Sequence, residues 1–420
     1  MAVVKFLQLA DLHLGKGFGW LPGEGAADRR HEQRRAVEAA VRAAVERGAH
    51  ALLVPGDVFD AEAIDSETLA WAVHEAFALP GCPPVFIAPG NHDPCSDTSH
   101  YWNPALLRAR GWAWPAHVHV FDSGDWTMRL LPGLDGVRIW GRCFVRGVPS
   151  AERPLAAERI GGVTRGALDV AVFHGSREGA CPPAQKMVSP FSDVEILAAP
   201  FDYLAVGHYH APSTFTLDDT VRMAYPGPPI ALAEHETGRH GVLEVRIRYG
   251  EGAPARAEVE PIELDRRQVF ALHADVTGCT SVDQVDRRIG RAIDQAGASE
   301  LDIVTVDMRG RLTRGVHWTA PGPELRRRVF HLRVTQRGVR PDYDLDALRA
   351  STGGSTEERF ARTLLQQLDA AADASERAEI EGALYYGLDA FRLHEVTPAY
   401  EALEEPLPAA GTASGEGDAT

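Results

Sequence analysis

The chain has 420 residues, enough for roughly two or three domains, and its 45% hydrophobic and 24% charged residues are the balance of an ordinary soluble globular protein. A formal net charge of -16 excludes a protein that grips nucleic acid or an acidic membrane by bulk charge, so any DNA contact must be local, metal-assisted or shared with a partner. Five scattered cysteines (Cys82, Cys95, Cys143, Cys181, Cys279) never form a CxxC pair and read as reduced thiols; with no basic leader and no run of about 18 apolar residues, the expectation is a cytoplasmic protein without a membrane span.

In chain order, VVKFLQLA predicts a strand. RRAVEAAVRAAVERG predicts a helix with Val37, Ala40, Val41, Ala44 and Val45 on one face and Gly48 past its end, and ALLVPG the next strand. SETLAWAVHEAFALPG reads as a second helix closed by Pro80 and Gly81, and VFIAPG as a third strand, a βαβαβ order with helices against a sheet. Short strands follow (HVHVF, TMRLL, VRIWG), then two longer apolar ones, DVAVFHG and YLAVGHYH, and GVLEVRIRY closes the unit near Gly250. An α/β fold, a four-layer αββα sandwich of two sheets, accommodates them.

From Glu251 the chain restarts as a smaller α+β module over 251–347, with strands QVFALHADV, LDIVTVDMRG and HLRVTQRG and helices SVDQVDRRIGRAIDQA and ELRRRVF. EGAPA and STGGST are the expected joints. TEERFARTLLQQLDAA and SERAEIEGALYYGLDAFRL predict a C-terminal helical pair over 356–400, and the polar, glycine-rich tail 406–420 is expected to be disordered.

Five strand ends carry the chemistry. They are Asp11 and His13 in LQLADLH, Asp57 and Asp60 in VPGDVFD, Asn91, His92 and Asp93 in IAPGNHD, His174 in VFHG, and His208 and His210 in VGHYH. Parallel strands bring such ends to one edge, where the sites of α/β proteins lie. A lone DxH pair is common by chance; five blocks each following an apolar strand are not. Gathered together, these carboxylates and imidazoles would cost many kcal/mol without compensating cations. Oxygen and imidazole ligands without thiolate favour Mn²⁺, Fe²⁺ or Zn²⁺ over Ca²⁺, and the ligand number predicts two ions about 3.5 to 4 Å apart. Glycines before Asp57, Asn91 and His208 let the backbone turn sharply and approach closely.

DxH, GDxxD, GNHD, a single His after a strand, and GHxH, in this order, resemble the calcineurin-like metallophosphoesterases. KFLQLADLHLG, FDYLAVGHYHAPS, AYPGPP and ALYYGLDAF are similar to the bacterial SbcD-type exonucleases and their YhaO-type relatives, counterparts of the eukaryotic meiotic-recombination nuclease; proline replaces the serine usual in YPGS. This resemblance implies that Asp11, His13, Asp57 and His210 hold one ion and Asp57, Asn91, His174 and His208 the other, with Asp57 bridging and manganese the leading choice of metal. It implies that His92 protonates the leaving oxygen, oriented by Asp60 where some members carry histidine, with Asp93 behind the ligands. It further implies a dimeric DNA-repair exonuclease subunit whose 251–347 module caps the site and touches DNA, and whose helical pair docks an SbcC- or YhaN-type ATPase.

His117 and His119 alternate on a strand outside the five blocks and are expected on a solvated face. Trp102, Trp112 and Trp114 are expected to anchor a loop, while Lys16, Phe18 and Trp20 could serve substrate contact or packing. Between 301 and 340 nine arginines face three acidic residues, an excess of six positive charges, which makes Arg309, Arg311, Arg326 and Arg327, with Lys16, candidates for DNA contact. Two other readings compete: a free-standing phosphodiesterase on nucleotides or small diesters, and a silent scaffold for an ATPase.

Overall fold

The computed structural model describes residues 1–61, 64–147, 151–163, 165–180, 186–250 and 252–394. They form two compact units, the first of 1–274, 286–308 and 319–337, the second of 275–285, 309–318 and 338 onwards.

The first unit opens with β1 (Ala2–Gln8), α1 (Gly25–Glu46), β2 (Ala51–Val54), α2 (Ser66–Trp71, running on into a wider turn over Ala72–Ala76), β3 (Val85–Ile87), α3 (Pro104–Ala109) and β4 (Val118–Val120). It continues through β5 (Thr127–Leu130), β6 (Val137–Gly141), α4 (Ala157–Ile160), β7 (Leu168–His174), α5 (Asp193–Ala198), β8 (Tyr203–Gly207), β9 (Ser213–Leu217), β10 (Thr220–Tyr225), β11 (Gly241–Gly250) and β12 (Ala253–Glu263). Two six-stranded mixed sheets result, ordered β12-β11-β1-β2-β3-β4 and β5-β6-β7-β8-β10-β9. The strands bearing the polar corners run parallel within each sheet: β1, β2 and β3 in one, β7 and β8 in the other.

The two-residue period of β1 shows why the sheets stack. Val4 and Phe6 enter a buried layer with Phe86, Ile139, Val170 and Tyr203, residues of both sheets. Leu7 and Leu9 enter another with Val37, Ala40 and Val41 of α1. A third cluster joins Phe173, Leu204 and Val206 to Ile160 of α4 and Ile196 of α5 on the outer face of the second sheet. The architecture is thus two mixed sheets with flanking helices. Gln8, fully buried, is satisfied between the sheets: its amide donates to the carbonyls of Val206 and Ala224, and Tyr203 Oη donates to its Oε1 at 2.6 Å.

Two boundaries differ from the sequence reading. Helix α1 starts at Gly25, nine residues before Arg34, because its buried face continues through polar Arg29, Glu32 and Gln33. Arg29 pairs with Asp265, Arg267 with Glu32, and Gln33 donates to the carbonyls of Leu12 and His13. An apolar period cannot register positions satisfied in this way. Instead of the joint expected at EGAPA, the chain from Ala253 onward belongs to the first sheet, since β12 pairs with β11 from Gly241↔Glu263 to Gly250↔Ala253. Its polar sequence and Pro261 suit an edge strand, which the apolar pattern does not mark.

Further along come β13 (Val269–Asp275), α6 (Val282–Ala296), β14 (Ile303–Leu312), α7 (Pro323–Arg326) and β15 (His331–Pro341). Within the first unit, 269–274, 303–308 and 331–337 form a sheet ordered β13-β14-β15. The second unit contains α8 (Leu345–Ala350), α9 (Thr356–Ala370) and α10 (Ala374–Leu393). Ser355 and Glu358 close a capping box on α9. The apolar stripes of the helical pair meet one another through Ala361, Leu365, Leu384 and Leu388, leaving Phe391 and Leu393 exposed. The tail expected to be disordered, 406–420, lies outside the described residues. Among those described, no helix is long and apolar enough to cross a membrane, and Cys82, Cys95, Cys143 and Cys279 are free thiols; Cys181 is not among them.

Candidate metal centre

Each of the five corners follows the strand end that the sequence assigns to it, and the structure brings them together. Three overlapping groups have ligand atoms within 4.8 Å of one another: Asp11, His13 and His210; His13, Asp57 and His92; Asp57, His174 and His208. Asp57 Oδ2 lies 3.6 Å from His13 Nε2 and 3.3 Å from His174 Nε2, between the first and third groups. Asn91 Oδ1 adds to the third, 3.0 Å from His174 Nε2. Asp11, His13 and Asp57 adopt φ of 54°, 46° and 50°, and His208 119°, conformations that cost free energy in non-glycine residues and persist only where the surroundings enforce them. At Gly90 no side chain fits, since a β-carbon would stand 2.3 Å from Asp57 Oδ1 and 2.7 Å from its backbone nitrogen.

The imidazoles are held from behind. His13 Nδ1 donates to Asp60 Oδ1 at 2.9 Å, His174 Nδ1 to the Pro55 carbonyl at 3.0 Å and His210 Nδ1 to Glu236 Oε1 at 2.6 Å, which turns each Nε2 away from that bond. Two buried atoms, Asp11 Oδ2 and His13 Nε2, have no hydrogen-bond partner. Orphaned ligand atoms of this kind, in a cluster of carboxylate, imidazole and amide donors, fit a divalent cation.

Electrostatics agree. Burial pushes Asp11 up to about 7 against the pull of His174 and His210. Burial also raises Asp57, but His174 and His13 outweigh it and hold that carboxyl well below the usual range. Burial lowers His174, yet Asp57 and Asp11 carry it up to about 9, while burial and neighbouring His174 push His208 down to about 3. The attraction between the Asp57 carboxylate and the His174 ring marks a place where positive charge is favoured, and a cation bound there would take the place of a proton on the imidazole.

The calcineurin-like phosphoesterase family matches residues 4–212, the span that contains every one of these corners. This chain carries a calcineurin-like phosphoesterase domain. Over 312 residues it is 27% identical to the DNA double-strand break repair protein Mre11 of Aeropyrum pernix, covering 71% of this chain and 70% of that one. Among solved structures, TT1561 of Thermus thermophilus is 14% identical, with 63% of this chain and 100% of that chain covered and a TM-score of 0.36. GAP50 of Plasmodium is 10% identical, with 63% and 90% covered and a TM-score of 0.36.

Around the phosphoesterase centre the supporting residues divide into those the motifs name and those they do not. His92 is exposed, its backbone N–H donates to Asp57 Oδ1 at 2.9 Å, and its ring meets that of His13 edge-on at 4.7 Å. Asp60 does not orient it by the expected carboxylate. That carboxylate takes the closer donors His13 Nδ1 and Lys16 Nζ, and the backbone carbonyl of Asp60 accepts from His92 Nδ1 at 2.9 Å. Asp93, fully buried, joins two corners by accepting from the N–H groups of Gly90, Val58 and Phe59. Burial and the nearby Asp57 push its pKa up to about 8. Trp102 anchors the same corner, its indole donating to the Asp93 carbonyl at 2.6 Å and stacking on Trp114. Phe18 and Trp20 pack: Phe18 is buried and the Trp20 indole donates to the Leu232 carbonyl.

Other polar candidates also turn inward. His117 Nε2 bonds the Phe77 carbonyl and His119 stacks on Phe86, so the face expected to be solvated is partly packed and both rings are half-buried. Arg311 is a correction among the DNA-contact candidates. Its guanidinium is taken up by Asp389, at 2.8 and 3.2 Å, by the Pro341 carbonyl and by the Tyr385 ring, because a buried carboxylate from α10 needs a partner. Arg328 pairs with Asp294 and Arg333 with Glu234. Arg326 and Arg327 are exposed and bond only backbone carbonyls of their own turn among the bonds described, while Arg309 is half-buried. Sequence reasoning missed Glu236 altogether. Its one signal was an acidic residue a few positions after AYPGPP.

Proposed function

We propose that this protein is a two-metal DNA nuclease subunit acting in DNA repair. The supporting observation is the convergence of Asp11, His13, Asp57, His174, His208 and His210, with Asn91 Oδ1 against His174 Nε2, on one edge with two ligand atoms left unpartnered. The likeness to an Mre11 repair protein, together with a chain that extends about 150 residues past the phosphoesterase sandwich, favours DNA over a small diester as substrate.

In this reading Asp11, His13, Asp57 and His210 hold one ion, and Asp57, Asn91, His174 and His208 the other. Bound there, two divalent cations, with Mn²⁺ the leading choice, would supply the charge that ionises a water near neutral pH and offsets the phosphoryl oxygens. His92, donating through Nδ1 to the Asp60 carbonyl, keeps Nε2 turned outward, and as an imidazolium it passes the Nε2 proton to the departing oxygen. Asp93 and Trp102 keep the GNHD corner against the Asp57 corner and hold His92 in reach. Arg326, Arg327 and Lys16 contact the phosphate backbone, the subunit acts as a homodimer, and α9 with α10 docks an SbcC- or YhaN-type ATPase.

The test is purification with metal analysis, then degradation of linear duplex DNA with and without Mn²⁺ beside a panel of nucleotide diesters. Mn²⁺-dependent loss of linear DNA with little action on the panel supports the proposal. Cleavage of the diesters alone would move the reading to a small-molecule phosphodiesterase, and no cleavage of either, with an ATPase co-purifying, to a scaffold.

A further inference from the structure

We infer that Glu236 is the positioning residue for His210, and that it does this work from a segment outside the five metal-bearing corners. The inference rests on the proposed role of His210 as an ion ligand.

Glu236 lies in the stretch between β10 and β11, 26 residues beyond His210. Its Oε1 accepts from His210 Nδ1 at 2.6 Å. Its Oε2 accepts from the backbone N–H groups of Leu232 and Ala233, at 2.6 and 3.3 Å. One carboxylate therefore spends both oxygens: one fixes the ring and the other fixes the turn that carries the carboxylate. With the hydrogen of His210 on Nδ1, the lone pair of Nε2 is the one left for a cation.

The segment meets His210 a second time through its backbone. At Gly227, φ is +69° and a β-carbon would lie 2.3 Å from the His210 carbonyl oxygen, so AYPGPP passes against the main chain of the residue whose ring Glu236 holds. The turn itself is clamped. The Trp20 indole donates to the Leu232 carbonyl at 3.1 Å, and Ile230 and Leu232 are buried with Phe18, Leu21 and Ala36. A flexible glutamate would lose much of its value as an orienting group; one held by two N–H groups and a packed turn does not.

A merely structural ion pair makes a different prediction from a positioning role, and Mn²⁺ binding separates them without reference to cleavage. Calorimetric titration with Mn²⁺ on the full chain would compare wild type, Glu236→Gln, His210→Ala and the double variant. The expected result is two ions in wild type, one of them bound about 10- to 100-fold more weakly in Glu236→Gln, and the other retained at wild-type affinity as proof of folding. The double variant should bind no more weakly than His210→Ala alone. Wild-type affinity for both ions in Glu236→Gln would overturn the inference while leaving the two-metal reading intact. Equal weakening by Glu236→Gln with and without the His210 ring, or loss of both ions with a lowered melting temperature, would overturn it as well. A wild-type protein that binds no Mn²⁺ would overturn the two-metal reading, and this inference with it.

Discussion

Replacing His92 by alanine separates proton delivery from metal holding. The ring is exposed and makes one hydrogen bond, Nδ1 to the Asp60 carbonyl, plus an edge contact with His13. The bond that ties residue 92 to the cluster runs from its backbone N–H to Asp57 Oδ1, and alanine keeps it. Stability should therefore fall by no more than about 0.5–1.5 kcal/mol, the net worth of one such bond, and both ions should bind as in wild type. Loss of a positioned acid typically costs about 10²- to 10⁴-fold in rate, or about 3 to 5.5 kcal/mol of barrier. The assay is single-turnover cleavage of linear duplex DNA at saturating Mn²⁺, run beside a Mn²⁺ titration. A p-nitrophenyl phosphodiester, whose leaving group departs without a proton, should be cleaved nearly as fast by His92→Ala as by wild type. Equal slowing on both substrates would refute proton delivery. Loss of both ions would refute the division of labour between His92 and the ligands.

Gly90→Ala should weaken Mn²⁺ binding more than about tenfold, because a β-carbon 2.3 Å from Asp57 Oδ1 forces two corners apart and ligand placement tolerates little movement; an unchanged titration would show that the corners can yield. Reversing the exposed pair, Arg326→Glu with Arg327→Glu, should lower the salt slope of DNA binding by about one per lost phosphate contact, whereas an unaltered slope would remove this turn from the DNA surface. Asp65 caps α2 by accepting from the Thr68 N–H at 2.8 Å; burial raises its pKa, but the Thr68 N–H and hydroxyl outweigh that and hold it below the ordinary value. Asp65→Ala should cost about 1 kcal/mol at neutral pH. Since the folded-state pKa is depressed, this contribution is complete above the unfolded value of about 3.9 and is lost as pH falls through the folded one. Melting curves of wild type and variant should converge at acid pH, and a gap independent of pH would mean that the capping charge contributes nothing.

By itself the sequence determined the strand ends. An apolar run that stops at a glycine corner bearing Asp, Asn or His is a local statement, and the two-residue period of β1 together with the parallel βαβ order was enough to send those corners to one edge. Only the tertiary structure decided what stands behind them. Glu236 reaches His210, Asp265 reaches Arg29 across 236 residues and Asp389 reaches Arg311, and each partner is chosen by spatial proximity that no local pattern encodes. The same holds for Asp60, whose carboxylate and carbonyl serve different histidines, and for β12, whose polar strand is defined by the neighbour it pairs with. Periodicity reports burial of apolar side chains, but the direction of a hydrogen bond or an ion pair exists only once distant segments have been packed together.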